Sequence, residues 1–255
     1  MKLKFKLPKP PWNKLSKHLE SLCRKALYDF DLITNEKSIA IALSGGKDSL
    51  CLLFLLKAIS GKGFSDFDIH AIHIESEFSC GAGIDKNFLK NVCNQLDINY
   101  ISKIQLKQDN LECYSCSRER RRLIFETAKE LGIKTIAFGH HREDSIQTVL
   151  LNLFHKSEFA GILPKINMVH YDVNIIRPLI YICENKILEF SKHYGFYRMT
   201  CQCPKGQNSN RKKVEEFLKD IEEVFPNVRS NLQKSILSYG SNKALYVKKN
   251  RNKES

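Results

Sequence analysis

No hydrophobic stretch in this chain approaches the length of a membrane span. The longest, around Leu50 to Leu56, is far shorter than the ~20 apolar residues that crossing a bilayer requires. A secretory leader is not expected either, because the basic stretch Met1 to Lys9 runs into Pro8, Pro10 and Pro11 with no apolar segment behind it. With a single tryptophan, no helix has the Trp-rich apolar face of a membrane-surface segment. Acidic residues are scarce as well: 28 Asp and Glu against 41 Lys and Arg leave a formal net charge of +13. Such a balance favours polyanionic partners, and without a membrane-binding helix nucleic acid leads. No internal repeat is visible, which sets solenoids aside. The expectation is a soluble, cytoplasmic protein with no membrane partner.

What remains is an ordinary globular composition. Hydrophobic residues make up 42% of 255 positions, enough for one large α/β domain with a sizeable core. Nine cysteines, an odd number in a chain without a leader, argue for thiols or metal ligands rather than a disulfide framework. Cys23, Cys51, Cys93 and Cys183 fall inside apolar helical patterns and read as core residues. Cys80, beside Gly81 and Gly83, reads as a loop thiol. Cys113, Cys116, Cys201 and Cys203 need another explanation.

The chain is organised around Ser44-Gly45-Gly46-Lys47-Asp48-Ser49. Ser38 to Leu43 ahead of it has buried-strand length, and the apolar run behind it reads as a buried helix ended near Gly61 and Gly63. Two glycines let several amide N–H groups converge at a helix N-terminus, a site for an oxyanion such as phosphate. Lys47 adds a positive charge, Ser44 and Ser49 add hydroxyls, and Asp48 can cap the helix or hold Mg²⁺ beside a polyphosphate. A Walker A loop is excluded, since Ile41 stands where that motif needs glycine.

Further strands are expected at Asp68 to Ile74, Asn99 to Leu106 and Ile133 to Phe138, with helices between them. That alternation predicts a doubly wound, mostly parallel sheet with helices on both faces. The apolar stripe of Trp12 to Phe30 predicts an N-terminal helix that packs on the domain and can also serve a dimer contact. Helices are expected again after Asn208 and over Asn231 to Tyr239, a C-terminal helical extension. The domain limits follow: 1–36 an N-terminal helical extension, 37–240 the nucleotide-binding domain, 241–255 a basic tail.

Gly139-His140-His141-Arg142-Glu143-Asp144 follows the fourth strand and is expected on the same rim as Lys47, because ligands of such sheets gather beyond the strands' carboxyl ends. There Glu143 and Asp144 either favour a helix N-terminus or serve a nucleotide or metal. Cys113 and Cys116 supply two ligands of an incomplete site, which Cys201 and Cys203 can complete.

The phosphate loop resembles that of the N-type ATP pyrophosphatases, which split ATP between its α and β phosphates. The loop, Cys113 and Cys116 followed by Ser117 to Arg121, Gly139 to Asp144, Ile176-Arg177-Pro178-Leu179, and Cys201 together resemble the tRNA 2-thiocytidine synthetase (TtcA) family, over about Ser38 to Tyr239. The resemblance implies an ATP-dependent tRNA sulfurtransferase that adenylates the C2 oxygen of cytidine 32 and exchanges it for sulfur. It implies ATP at Ser44, Gly45, Gly46, Lys47, Asp48, Ser49, Gly139 and His140, with Lys47, Asp48 and Asp144 catalytic and Mg²⁺ present. It also implies a [4Fe-4S] cluster on Cys113, Cys116 and Cys201, a cysteine desulfurase as sulfur donor, and a homodimer. Many members separate the last cysteine pair by two residues; here one separates Cys201 from Cys203, so Cys203 stands as the alternative third ligand. Arg118, Arg120, Arg121, Arg122, Arg211, Lys212 and Lys213 are the expected tRNA phosphate contacts. A uridine thiolase, a lysidine synthetase and a non-enzymatic iron–sulfur RNA-binding module remain alternatives.

Overall fold

The computed structural model describes residues 5–76, 86–105, 113–196 and 210–240. Cys80, Cys201, Cys203, the segment 197–209 and the tail 241–255 lie outside the described residues. The chain forms two compact units, one of 1–141 with 164–208 and one of 142–163 with 209–255.

The first unit is built on a six-stranded sheet in the order β3-β2-β1-β4-β6-β5, comprising β1 (Ser38–Ala42), β2 (Asp68–Ser76), β3 (Asn99–Gln105), β4 (Thr135–Ala137), β5 (Lys165–Met168) and β6 (Val173–Ile176). All pairings are parallel except β5 with β6. The sequence did not mark β5. It is four residues long, none of them fully buried, and lies on the sheet edge, so it carries no apolar run to read. The winding reverses at β1, which pairs with β2 on one side and β4 on the other, and a crevice for ligands is expected at such a switch.

Side chains of β1 alternate between two cores. Ala40 and Ala42 pack with Ile124, Phe125 and Ala128 of α4 (Cys113–Glu130), together with Ile72, Ile74, Ile136 and Ile175. Ile39 and Ile41, fully buried, point to the other face, where α2 (Lys47–Ile59) packs on β1 and joins α1 (Lys14–Asp29) and α6 (Glu184–Tyr194). Helix α2 is apolar nearly all round and buries ten of its residues, hence no stripe is legible in it. The stripe of α1, Leu19, Cys23, Ala26 and Leu27, is spent on this packing. Helix α3 (Lys86–Gln95) covers β3. Among the described residues no helix is long and apolar enough to cross a membrane.

The second unit contains α5 (Arg142–Lys156), α7 (Asn210–Val224) and α8 (Val228–Tyr239). They meet on Ile146, Val149, Leu150, Val214, Leu218 and Ile236. Gly161 is required there, since a Cβ would come within 2.8 Å of Ile236 Cγ2.

Candidate active site

The stretch Ser44 to Ser49 links the end of β1 to the first turn of α2, as its glycines anticipate. Gly45 has φ +80°, a conformation open to glycine. Hydroxyls tie the turn together: Ser44 Oγ and Ser49 Oγ are 3.0 Å apart, and Ser49 Oγ accepts from Gly45 N at 3.1 Å and donates to the Gly46 carbonyl at 3.0 Å. Gly46 is the N-cap and has no side-chain capping bond, so the helix start is left for an external acceptor. Asp48 is therefore not the cap. Its carboxylate holds Lys47, with Nζ 3.0 and 3.1 Å from its two oxygens.

Lys47 has a second partner that the sequence did not reveal. Glu184, the first residue of α6, brings Oε1 to 2.9 Å from Lys47 Nζ. Burial acts to lower the Lys47 pKa, and the Asp48 and Glu184 carboxylates outweigh it and raise the value above its ordinary level. The ammonium is thus held charged beside the loop. The only sequence hint was a glutamate opening a helix shortly after Ile176-Arg177-Pro178-Leu179.

Gly139, His140 and His141 leave β4 beside this loop. A Cβ on Gly139 would stand 3.0 Å from the Asp48 carbonyl carbon and 3.0 Å from Ser49 N, so glycine here permits the close approach of two backbones. His141, buried, has Nε2 3.8 Å from Asp48 Oδ1. His140 stacks on Phe138 with ring centroids 5.8 Å apart, and the buried Arg177 donates from Nε to His140 Nδ1 at 3.4 Å. Asp144 belongs to the second unit, where its Oδ1 accepts from Arg211 Nη1 at 2.9 Å. Neighbouring Glu143 is buried and pairs with Arg142 at 2.7 Å.

Cysteines 113 and 116 stand one turn apart at the amino-terminal end of α4. Cys116 is partly buried beside the end of β3: Gln105 Nε2 donates to its carbonyl at 3.3 Å and lies 3.8 Å from its sulfur. Strands β1, β2 and β3 run parallel, so Cys116 and the phosphate loop occupy the same carboxyl edge. β2 and β3 continue past the end of β1, with β2 running four residues beyond Ile72, the partner of Ala42, about 13 Å at 3.3 Å per residue. His73 links the two parts. Its ring Nδ1 lies 2.8 Å from the Leu43 carbonyl just ahead of the loop; burial, with Arg120 of α4 adding to it, lowers its pKa below the ordinary histidine value.

The donor chemistry fits a thiolate-held iron–sulfur group. The Gln105 amide N–H near the Cys116 sulfur is a usual tuning contact of such clusters. Buried Cys23, Cys51 and Cys93 do not suit such ligation, since burial raises their thiol pKa, to about 12 for Cys93. Among the described residues no group of three or more metal-binding side chains is assembled, and the expected third ligand lies outside them.

Comparison with known proteins gives the frame. A family model described as a PP-loop domain matches residues 13–218. A tRNA-cytidine(32) 2-sulfurtransferase of Ralstonia pickettii is 32% identical over 235 residues, covering 88% of this chain and 74% of that one. The chain belongs to this PP-loop family. A second tRNA-cytidine(32) 2-sulfurtransferase, from Syntrophotalea carbinolica, is 30% identical and covers 86% of this chain and 88% of its own. Among solved structures, the U34-tRNA thiolase NcsA of Methanococcus maripaludis, determined with its [4Fe-4S] cluster, superposes with a TM-score of 0.67 at 21% identity over 87% of this chain and 77% of that one. At that identity the likeness establishes the PP-loop fold alone.

The basic residues near the cysteines divide within this family frame. Arg118 and Arg121 are exposed on α4, whereas Arg122 is engaged by Glu119 at 2.6 Å and by Glu126 at 2.5 Å. Arg211 is held by Asp144.

Proposed function

We propose that the protein thiolates tRNA, forming 2-thiocytidine at position 32 of the anticodon loop from ATP and a sulfur atom delivered by a cysteine desulfurase. The observation that carries this reading is the shared edge: Lys47 with its loop and Cys116 with its helix stand beyond the carboxyl ends of β1 and β3, two strands of one sheet with β2 between them.

ATP is the substrate of the first step. The amides of Lys47, Asp48 and Ser49 at the start of α2 bind its phosphates, with the Ser44 and Ser49 hydroxyls beside them. Attack by the cytidine C2 oxygen on the α-phosphorus forms one P–O bond and breaks another, and pyrophosphate leaves. Lys47, kept protonated by Asp48 and Glu184, exchanges a carboxylate partner for a phosphate oxygen and offsets the charge on the leaving group. Asp48 would hold Mg²⁺, which neutralises charge on the polyphosphate. Gly139 keeps the β4 turn against the loop, and His140 extends the nucleotide site. Asp144 is assigned to the same chemistry through its place in Gly139 to Asp144. Adenylation turns a poor leaving oxygen into AMP.

Cys113, Cys116 and Cys201, with Cys203 as the alternative, would hold a [4Fe-4S] cluster, which supplies an open iron position for sulfide, formed when a thiol reductant adds two electrons to the sulfane sulfur that the desulfurase delivers. Arg118, Arg120 and Arg121 flank this region and suit the tRNA backbone. The test is pyrophosphate release from ATP with unmodified tRNA transcripts. Release that depends on cytidine at position 32 is expected. Release unaffected by changing that base to uridine would overturn the choice of base.

A further inference from the structure

Among the described residues, one helix face in the carboxy-terminal unit is left uncovered. Along α7, Lys213, Phe217, Asp220 and Val224 recur at spacings of four, three and four residues and form one stripe. Val214 and Leu218 lie in the unit's core instead. On the open side Phe217 is 47% exposed, Val224 69% and Phe225 64%. Phe154 of α5, 57% exposed, meets Phe217 edge to face with centroids 6.1 Å apart and widens the patch. Four large apolar side chains exposed together mark a contact surface rather than ordinary scatter.

The charges say what covers it. Lys212 and Lys213 stand at the start of α7, and Asp220 and Glu223 near its end. Arg229 takes up Glu215 and Glu222, and Arg211 takes up Asp144, but among the described residues Lys212, Lys213, Asp220 and Glu223 enter no ion pair. The acidic end disfavours RNA phosphates along this face. A second α7 laid antiparallel would bring the basic start of each helix opposite the acidic end of the other, with both Phe217 rings near the centre and the helix dipoles opposed. One stripe that complements itself under a two-fold rotation is the requirement for an isologous contact.

We propose that this face of α7, with Phe154 and Phe225 at its margin, is the two-fold contact between two copies of the chain. Lys212 and Lys213, expected from the sequence to meet tRNA, then face protein. The proposal does not depend on the thiolation reading.

Sedimentation velocity of the full-length protein tests it with two charge-reversed variants, Lys212→Glu with Lys213→Glu, and Asp220→Lys with Glu223→Lys. The wild type is expected to dimerise, and each variant alone to associate at least about tenfold more weakly because like charges then face each other. An equimolar mixture of the two variants should recover association, since every pair is then opposite in sign. Circular dichroism checks that both variants fold. A monomeric wild type, variants that dimerise as it does, or a mixture that fails to recover would overturn the proposal. So would tRNA affinity that falls with the lysine variant while self-association is unchanged, which would return these lysines to RNA.

Discussion

Glu184 and Lys47, 137 positions apart in the chain, meet at 2.9 Å and join the first turn of α6 to the first turn of α2. With Asp48 on its other side, the ammonium is fixed at the phosphate loop before any nucleotide arrives.

Lys47→Ala should therefore lower tRNA-dependent pyrophosphate release by about 10²-fold or more, the usual loss when one charge-stabilising group is removed. Glu184→Gln should act differently. It removes one of the two carboxylates that raise the Lys47 pKa and leaves the burial that lowers it, so the alkaline limb of the pH–rate profile should move to lower pH. An unchanged limb would mean that Glu184 does not set the charge on Lys47.

Gly139→Ala should displace the loop. The added carbon would lie 3.0 Å from backbone atoms of Asp48 and Ser49, which cannot swing aside as a side chain can. A stability loss of about 1–3 kcal/mol is expected from such overpacking, with a higher KM for ATP. Denaturant titration and steady-state kinetics read the two effects, and full wild-type values in both would refute the close approach.

Acid should destabilise the protein partly through His73. Its folded pKa is below the ordinary 6.5, so the unfolded chain takes up this proton first, and stability falls as pH drops from about 6.5 toward the lowered value. The difference in unfolding midpoint between pH 7.5 and pH 5 should be smaller for His73→Gln than for the wild type. Equal differences would remove His73 from the acid response.

Iron content separates the cysteines. Anaerobically purified Cys116→Ser should lose the cluster's visible absorption, whereas Cys183→Ser should keep it. Comparing Cys201→Ser with Cys203→Ser identifies the third ligand. Wild-type iron in Cys116→Ser would remove Cys116 from the site.

What the sequence made legible was local. The loop Ser44 to Ser49 announces itself because backbone freedom, hydroxyls and a lysine are contiguous, and the strand ahead and helix behind follow the same few residues. The α1 stripe is equally readable, since Leu19, Cys23, Ala26 and Leu27 recur at helical spacing. Glu184 was invisible because its partner is set by the sheet order, which brings α6 beside α2. Gly139 was legible as a turn, but its need to admit the Asp48 backbone arises only in packing. Edge strand β5 does alternate polar and apolar residues, but over four positions the pattern is too short to stand out from a loop. The Asp144–Arg211 pair joined two residues expected to serve different substrates, because each was judged by its nearest motif rather than by the helix facing it.

Nucleoside mass spectrometry of tRNA from cells with and without the gene tests the central claim most directly. The expected result is loss of 2-thiocytidine on deletion, restored by the wild type and not by Lys47→Ala or Cys116→Ser. Unchanged 2-thiocytidine in the deletion, or full restoration by both variants, would contradict it.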